Sequence, residues 1–234
     1  MKVLILAGGL GTRFGQETAN KPKPMVQVGG KPIIWHIMKV FAEDGFTNFV
    51  ILLGYKGEIL RDYFEANPEP NWQINFVDTG INTSKAQRIK KVEHLIDNNY
   101  FFVAYGDDVS DIHPKKVYEQ HISSDSIATL TAIPLATDFG IVITDESNKV
   151  TKFREKPVID GYYINGGFFC FSKEILSYLN DKNEELEDQV FKRLAEENKI
   201  SAYYHHGFWK CMNTMKDKIE LEALIEKNIA PWIR

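Results

Sequence analysis

The chain has 234 residues, 44% of them hydrophobic, and a formal net charge of −4. This length supports one large α/β domain with a buried core, and the slight acidity argues against nucleic-acid binding, which usually needs a basic face. The longest apolar runs, such as 49–53, are too short to cross a bilayer. Met1 and Lys2 lead directly into a strand-like run without a signal segment, so we expect a cytoplasmic protein that binds no membrane.

Strand-like and helix-like segments alternate through the first two thirds of the chain. Strands are predicted at 3–7, 49–53, 74–77, 101–104 and 127–133, and helices at 32–44 and 58–64. This order predicts an α/β fold with a doubly wound, mostly parallel (Rossmann-like) sheet. A small strand-rich lobe follows at roughly 140–171, with helices at 172–180, 186–197 and 216–228. We therefore expect a single domain over residues 1–234.

The most informative stretch lies directly after the first predicted strand. Gly8-Gly9-Leu10-Gly11-Thr12-Arg13 follows the apolar run, and Lys23 comes ten positions after Arg13. Because glycine has no Cβ, successive N–H groups can point into one concave space and hold an anion. Arg13 and Lys23 add two positive charges, and active sites of such sheets lie outside the carboxyl ends of the strands. The pattern predicts a nucleoside triphosphate bound at the end of the first strand.

Two familiar glycine motifs do not match this loop. A dinucleotide fingerprint needs a third glycine where the chain has Phe14, and an acid about 20 positions further on. The stretch 28–39 contains no acid. A P-loop ends in Gly-Lys-Ser or Gly-Lys-Thr, whereas here Thr12 and Arg13 follow Gly11. The loop therefore serves a different kind of nucleotide site.

The spaced set of the glycine loop and Lys23-Pro24-Met25 resembles the signature of the sugar-phosphate nucleotidyltransferases. Further matches extend the resemblance over almost the whole chain: Gly29–Ile33, Gly54–Lys56, Tyr105–Asp107, Glu155–Pro157, Ile164–Phe169 and Gly207–Trp209. Within that family, the glucose-1-phosphate cytidylyltransferases are the most similar group. That similarity rests on Trp35–Lys39, Val77–Gly80, the Gly207–Trp209 tail and the ending Ala230-Pro231-Trp232.

The resemblance implies a reaction in which an acceptor phosphate oxygen attacks the α-phosphorus of a nucleoside triphosphate and pyrophosphate leaves. Such catalysis consists of positioning and charge neutralisation, with a divalent ion. The implied catalytic residues are Arg13 on the triphosphate, Lys23 on the α-phosphate and Asp107 as a ligand of Mg²⁺. The implied nucleotide-binding set is Leu6, Ala7, Gly8, Gly9, Gly11, Thr12, Arg13, Gln27, Arg88 and Gly106.

The resemblance also implies an acceptor site formed by Gly140, Glu155, Lys156 and Asn165. Lys156 would bind the acceptor phosphate, and Glu155 and Asn165 would bind hydroxyls or an equivalent polar group. The position of Asn165 between Ile164 and Gly166 favours a functional role, because a buried amide needs hydrogen-bond partners.

The second metal ligand departs from the family pattern. The tail reads Phe-Trp-x-x-Met-Asp-Thr in the family, and this chain has Asn213 at the aspartate. An amide can ligate through its carbonyl oxygen but carries no charge, so metal affinity falls unless Asp108, at a position where glycine is usual, compensates. Three explanations remain open: an inactivating change, a variant with a different acceptor, and a non-catalytic relative. We favour the variant.

The base-facing segment and the chain length also depart from the pattern. Ala86-Gln87 precedes Arg88 where the cytidylyltransferases have a glycine pair, and an insertion between Phe64 and Asp78 is absent.

Our leading hypothesis is a Mg²⁺-dependent, homo-oligomeric cytidylyltransferase that joins CTP to a small phosphorylated acceptor. The best named acceptor is α-D-glucose 1-phosphate, for capsule or O-antigen polysaccharide synthesis. Alternatives are a non-sugar acceptor such as phosphoglutamine, in capsule phosphoramidate synthesis, and a nucleotide-binding relative without turnover.

Overall fold

The structure, a computed structural model, describes residues 1–9, 11, 14, 17–18 and 20–233. The predicted residues Thr12 and Arg13 lie outside the described residues. Within the described part, the strands are β1 (Lys2–Leu6), β2 (Gln27–Val28), β3 (Lys31–Pro32), β4 (Asn48–Leu53), β5 (Gln73–Asp78), β6 (Tyr100–Tyr105), β7 (Asp108–Ser110), β8 (Ala128–Ala136), β9 (Ile141–Thr144), β10 (Val150–Arg154), β11 (Val158–Ser172), β12 (Ile200–Tyr204) and β13 (Trp209–Cys211).

The helices cover the sheet and connect its strands. They are α1 (Ile33–Glu43), α2 (Gly57–Ala66), α3 (Lys85–Lys91), α4 (Pro114–Ser123), α5 (Lys192–Glu196) and α6 (Met215–Glu226). Short 3₁₀ segments occur at Lys23–Met25, Glu93–Leu95 and Lys173–Tyr178, and a π-helical segment at Leu186–Phe191 precedes α5. The segment 172–180, expected to be an α-helix, is therefore a 3₁₀ helix, and the expected helix at 186–197 begins as a π-helix.

The central sheet has seven strands in the order β12-β8-β11-β6-β1-β4-β5. Strands β6, β1, β4 and β5 run parallel, as do β8 and β12, whereas β11 is antiparallel to both of its neighbours. The expected mostly parallel α/β sheet is confirmed. Its interior strand β1 contains a continuous apolar run with Val3, Leu4 and Ile5 fully buried, because helices cover both faces of the sheet.

Two hydrophobic clusters pack against the two faces of this sheet. Val3 and Ile5 of β1 face one cluster, which includes Ile37 of α1, and Leu4 faces the other, which includes Ile89 of α3. The alternation follows from the period of two along a strand. Because both faces are closed by helices, the open part of the sheet is its edge at the carboxyl ends of the parallel strands.

A strand-rich lobe extends from the sheet where it was expected. Strands β9 and β10 form an antiparallel hairpin, and the first half of β11 continues from it before β11 enters the central sheet. Several large apolar side chains of this lobe are exposed, including Phe139 and Phe153. Separately, no helix in the described ranges combines the length and apolar character that a bilayer crossing requires.

Candidate active site

A cavity of 740 Å³ opens at the carboxyl ends of β1, β5 and β6. This volume lies within the range of about 300–1,000 Å³ that is usual for small-molecule sites. Its lining includes the glycine loop after β1, the loop 81–85 after β5, and Gly106, Asp107 and Asp108 after β6. The position agrees with the rule that ligands of open α/β sheets bind outside the carboxyl ends of the strands.

The glycine loop forms one wall of the cavity and is packed tightly from behind. Gly8, Gly9 and Gly11 line the cavity, and Gly11 has φ +63°, a left-handed conformation that favours glycine. A Cβ on Gly8 would collide with the guanidinium of Arg88. A larger residue at position 8 would therefore displace Arg88.

Arg88 lies behind that wall and is buried. Its guanidinium donates to the carbonyl oxygens of Gly8 (3.1 Å), Leu53 (2.9 Å) and Ile81 (3.3 Å), and to Oγ1 of Thr79 (2.5 Å). Burial lowers the pKa of Arg88, and the nearby carboxylates partly offset this effect. Arg88, which was predicted to bind nucleotide, thus lines the cavity, but these N–H groups donate to neighbouring carbonyls and to Thr79.

Lys23, Asp107 and Asn213 meet beside the glycine loop, where a Cβ on Gly11 would lie 3.0 Å from Cβ of Lys23. Lys23 starts the 3₁₀ turn after Pro22, and its Nζ lies 2.5 Å from Oδ2 of Asp107. The same Nζ donates to Oδ1 of Asn213 at 3.0 Å. One ammonium group therefore joins three parts of the chain that are far apart in sequence.

Backbone structure holds Asn213 in this place. Strands β7 and β13 pair in antiparallel register, with Asp108 opposite Cys211, and the N–H of Met212 donates to the carbonyl of Asp107 at 3.0 Å. Directly after Asn213, Thr214 and Asp217 form a capping box at the start of α6. Oδ2 of Asp217 also accepts the backbone N–H of Asn213 at 3.1 Å. The tail is thus fixed on both sides of Asn213.

Asp108 is a buried carboxyl beside this cluster. Burial, followed by the negative charge of Asp107, raises the pKa of Asp108 to about 8. The buried thiol of Cys211 contacts Asp108, and burial likewise raises its pKa, so the thiol is neutral. Oxygen or sulfur atoms of Asp107, Asp108 and Cys211 lie within 4.8 Å of one another.

This donor set suits a hard divalent cation. Mg²⁺ takes carboxylate and carbonyl oxygens and is bound by one or two carboxylates together with substrate phosphates. Asp107, Asp108 and the Oδ1 of Asn213 offer such oxygens around Lys23, whereas a protonated thiol is a poor ligand for Mg²⁺. Burial, followed by the charge of Asp107, raises the pKa of Asp108, and a bound divalent cation would favour its ionised form. The residues therefore fit Mg²⁺, with Asp107 and Asn213 where the sequence placed them.

A polar chain crosses the floor of the cavity toward β11. Nδ2 of Asn165 donates to the hydroxyl of Tyr105 at 3.1 Å, and Oδ1 of Asn165 accepts the N–H of Gly167 at 2.9 Å. The hydroxyl of Tyr105 donates to Glu187, which also lies 2.5 Å from Nζ of Lys85. Burial and the charge of Glu187 raise the pKa of Tyr105, so the phenol stays protonated. Asn165 thus has the partners that a buried amide requires.

Other predicted residues lie away from this cavity. Glu155 and Lys156 are exposed in the turn between β10 and β11, and a Cβ on Gly140 would lie 2.9 Å from Oε2 of Glu155. Gln27 is exposed on β2. None of these four residues is among the described residues that line the cavity. Leu6, Ala7 and Gly106, by contrast, line it as predicted.

Comparison with known proteins decides the family. Residues 2–228 match the model of the nucleotidyl transferase family. The chain belongs to this family. It is 38% identical to a glucose-1-phosphate cytidylyltransferase of Salmonella typhi, over 99% of this chain and 98% of that protein. It is 35% identical to a protein named probable glucose-1-phosphate cytidylyltransferase in Bacillus subtilis, over 99% of each chain.

A solved structure shows the same fold. HddC from Yersinia pseudotuberculosis, determined in complex with GMP-PN, superposes with a TM-score of 0.75 and 23% identity. The match covers 96% of this chain and 99% of that one. As a nucleotidyl transferase, this protein is an enzyme.

Several cavity residues of this nucleotidyl transferase were missed from the sequence. The loop 81–85 is not among them, because it belongs to the base-facing segment that precedes Arg88, and it lines the cavity after the carboxyl end of β5. Trp209, which donates from Nε1 to the carbonyl of Gly166 at 2.8 Å, also lines the cavity. Asn183 and Glu185 line the cavity from an irregular segment that carries no motif, so no local signal could have found them.

Proposed function

We propose that the protein transfers a cytidylyl group from CTP to α-D-glucose 1-phosphate. A phosphate oxygen of the acceptor forms a bond to the α-phosphorus of CTP, the bond from that phosphorus to the β-phosphate oxygen breaks, and pyrophosphate leaves with the electron pair. The names and full-length similarity of the Salmonella typhi and Bacillus subtilis relatives support this choice. The observation that carries it is the meeting of Lys23, Asp107 and Asn213 in one cavity with the glycine loop.

The charged groups of this cluster suit in-line displacement at phosphorus. Lys23 places one positive charge where the α-phosphate develops negative charge, and it needs no reorganisation because Asp107 and Asn213 already hold it. The backbone N–H groups of the glycine loop neutralise the β- and γ-phosphates. We assign the predicted Arg13, on the same loop, to the departing pyrophosphate.

A divalent cation completes the proposed charge balance. Mg²⁺ would be held by Asp107, the carbonyl oxygen of Asn213 and, as a compensating carboxylate, Asp108. When bound, it neutralises charge on the phosphate oxygens and fixes their orientation.

The acceptor is proposed to bind between the polar floor and the lobe. Asn165 lies inside the cavity and is set by Tyr105 and Gly167 for contact with hydroxyls. Glu155, Lys156 and Gly140 lie on the lobe, outside the described lining of the cavity, and are proposed to bind the phosphate and sugar there. The exposed apolar side chains of the lobe support the further proposal of a homo-oligomer. We place this cytoplasmic enzyme in capsule or O-antigen synthesis.

One observation favours a second acceptor. Lys85 and Glu187 form an ion pair beside Tyr105 and Asn165, with Nζ of Lys85 4.9 Å from the centre of the Tyr105 ring. A cation and a carboxylate on one wall complement the ammonium and carboxylate of an amino acid. Together with Asn213 in place of an aspartate, this pair supports phosphoglutamine as the alternative acceptor in capsule phosphoramidate synthesis.

The test measures pyrophosphate release with Mg²⁺ for each of four nucleoside triphosphates, against glucose 1-phosphate and against phosphoglutamine. We expect release with CTP and glucose 1-phosphate, and a loss of 10²-fold or more in Lys23→Ala, on the order seen when one preorganised charge donor is removed. Lys21→Ala is the matched control, since that lysine pairs with Glu17 instead. Release with phosphoglutamine alone would replace the acceptor, and no release from any pair would leave a nucleotide-binding protein without turnover.

A further inference from the structure

Two segments that are about 100 residues apart are joined at the rim of the cavity. We call residues 81–85 the nucleotide-facing loop and residues 181–187 the clamp segment. The hydroxyl of Ser84 donates to the carbonyl of Glu184 at 2.6 Å, and Nε2 of Gln87 donates to the carbonyl of Asp181 at 3.3 Å. The ion pair of Lys85 with Glu187 adds a third link. The departure from a glycine pair thus provides Gln87, a side chain that reaches the clamp segment.

Asn183 makes the most specific of these links. Its Oδ1 accepts the backbone N–H of Ser84 at 2.7 Å, and its Nδ2 donates to the carbonyl of Asn82 at 3.3 Å. A primary amide is the side chain that offers a donor and an acceptor side by side. Asn183 therefore engages two backbone groups of the same turn and fixes their relative orientation.

On its other side, the nucleotide-facing loop is held by Arg88 of α3 and by Thr79, directly after β5. Arg88 donates to the carbonyl of Ile81, and the hydroxyl of Thr83 donates to the carbonyl of Thr79 at 2.6 Å. Residues Ile81, Asn82, Thr83 and Ser84 all line the cavity. The loop is thus held from the sheet on one side and from Asn183 on the other, with its remaining groups turned toward the ligand.

We propose that Asn183 is a positioning residue that sets the nucleotide-facing loop as the wall against the base, so that base selectivity depends on the clamp segment. This inference rests on the proposed function, because it takes CTP as the ligand of the cavity. Hydrogen-bonding groups distinguish one base from another only if their orientation is fixed. Without the contacts of Asn183, the groups of the nucleotide-facing loop lose that fixed orientation. The triphosphate, which binds at the glycine loop and Lys23, does not depend on Asn183.

The experiment compares the dissociation constants of CTP and UTP in Mg²⁺ without acceptor, by calorimetry. Because both nucleotides carry the same triphosphate, their ratio reports base contacts alone. In Asn183→Ala, we expect the preference for CTP over UTP to fall about tenfold, which corresponds to one lost hydrogen-bonding group. Asn183→Asp keeps the oxygen that accepts from Ser84 and should restore the ratio to within about threefold of the unaltered protein.

Asn180→Ala is the matched control, because Oδ1 of Asn180 accepts from the N–H of Lys182 at 2.8 Å and no contact described for this amide reaches the nucleotide-facing loop. Its ratio should equal that of the unaltered protein, and the thermal unfolding of every variant shows that it is folded. A ratio in Asn183→Ala equal to that of Asn180→Ala overturns the inference. An unaltered protein that binds CTP no more tightly than UTP instead contradicts the proposed function, before any variant is considered.

Discussion

A single residue, Asn213, sets the charge of the metal site. Lys23 carries one positive charge and Asp107 one negative charge, and Asn213 contributes only the dipole of its amide. The buried carboxyl of Asp108 has a raised pKa, so it is partly protonated near neutral pH. The cluster therefore holds less negative charge than two ionised carboxylates would, and we expect a correspondingly weaker affinity for the proposed cation.

Asn213→Asp should strengthen divalent binding. The new carboxylate lies where the carbonyl now accepts from Lys23, so it adds a full charge without a change in shape. We expect the Mg²⁺ concentration for half-maximal pyrophosphate release to fall about tenfold, as one pK-scale unit of added interaction gives. Binding of Mn²⁺, measured by its paramagnetic resonance signal without substrates, should tighten by a similar factor.

The control for this variant is Asn228→Asp, which adds the same charge to an exposed residue after α6. That variant should leave the Mg²⁺ dependence unchanged. If Asn213→Asp alone is active and the unaltered protein is not, asparagine is an inactivating residue. If Mn²⁺ affinity is unchanged by Asn213→Asp, the amide is not a ligand.

At the scale of elements, the bend in β11 brings Asn165 to the cavity. The register of β11 with β8 shifts between Asn165 and Phe169, and Gly167 within this irregularity has φ +75°. A Cβ on Gly167 would collide with Oδ2 of Asp108. The bulge therefore needs glycine twice, for its backbone conformation and for the space that Asp108 occupies.

Gly167→Ala should lower both the free energy of unfolding and the activity. A left-handed alanine costs about 1 kcal/mol, and moving Asp108 aside adds about 1–2 kcal/mol more. Gly161→Ala is the matched control, because Gly161 lies on the same strand at φ +78° with nothing within 4 Å of the added Cβ. The free energy of unfolding of both variants is measured with denaturant, and the difference between them gives the cost of the collision with Asp108. Equal losses in the two variants would mean that Asp108 does not fill this space.

The sequence predicted the elements that have a clear local pattern, either a long apolar run or apolar residues at helical spacing. Long apolar runs such as β4 and β6 are buried on both faces of the sheet, and α1 shows apolar residues at helical spacing, so all three were expected. Helix α3 was missed because its sequence, Lys-Ala-Gln-Arg-Ile-Lys-Lys, is mostly polar and short. Helix α4 buries only Pro114, Val117 and His121, too few for a clear stripe. Strand β12 is half-buried at the sheet edge and lacks a continuous apolar run.

The same distinction holds for the site. The glycine loop, Lys23, Asp107 and Asn213 follow spaced motifs, and parallel strands bring their ends to one edge, so their meeting could be predicted. The contacts of the clamp segment could not, because they join residues about 100 positions apart through irregular backbone. Nor could the sequence show that Arg88 would be used by backbone carbonyls, since only the packed structure reveals its burial.

At the scale of the whole molecule, a buried histidine ties α4 to the sheet. Nδ1 of His121 lies 2.8 Å from Oγ1 of Thr129 on β8, and Nε2 lies 2.9 Å from Oγ of Ser172 on β11. These partners are hydroxyls, and no carboxylate is among the partners described for this ring. Burial lowers the pKa of His121 to about 4, so the folded protein holds a neutral imidazole there at neutral pH.

Because the pKa of His121 is lowered in the folded protein, we expect acid to destabilise the entire fold. Unfolding restores the pKa of His121 from about 4 to about 6.5, so the unfolded chain binds an extra proton between these values. The contribution of His121 to the free energy of unfolding is therefore fully present above pH 6.5. It is lost as the pH falls, by about 2 kcal/mol between pH 7 and pH 5. Urea unfolding at the two pH values should show that loss, and His121→Gln should reduce it by the same amount. His206→Gln, which removes an exposed histidine, should not. An equal pH dependence in all three proteins would show that His121 does not control the acid response.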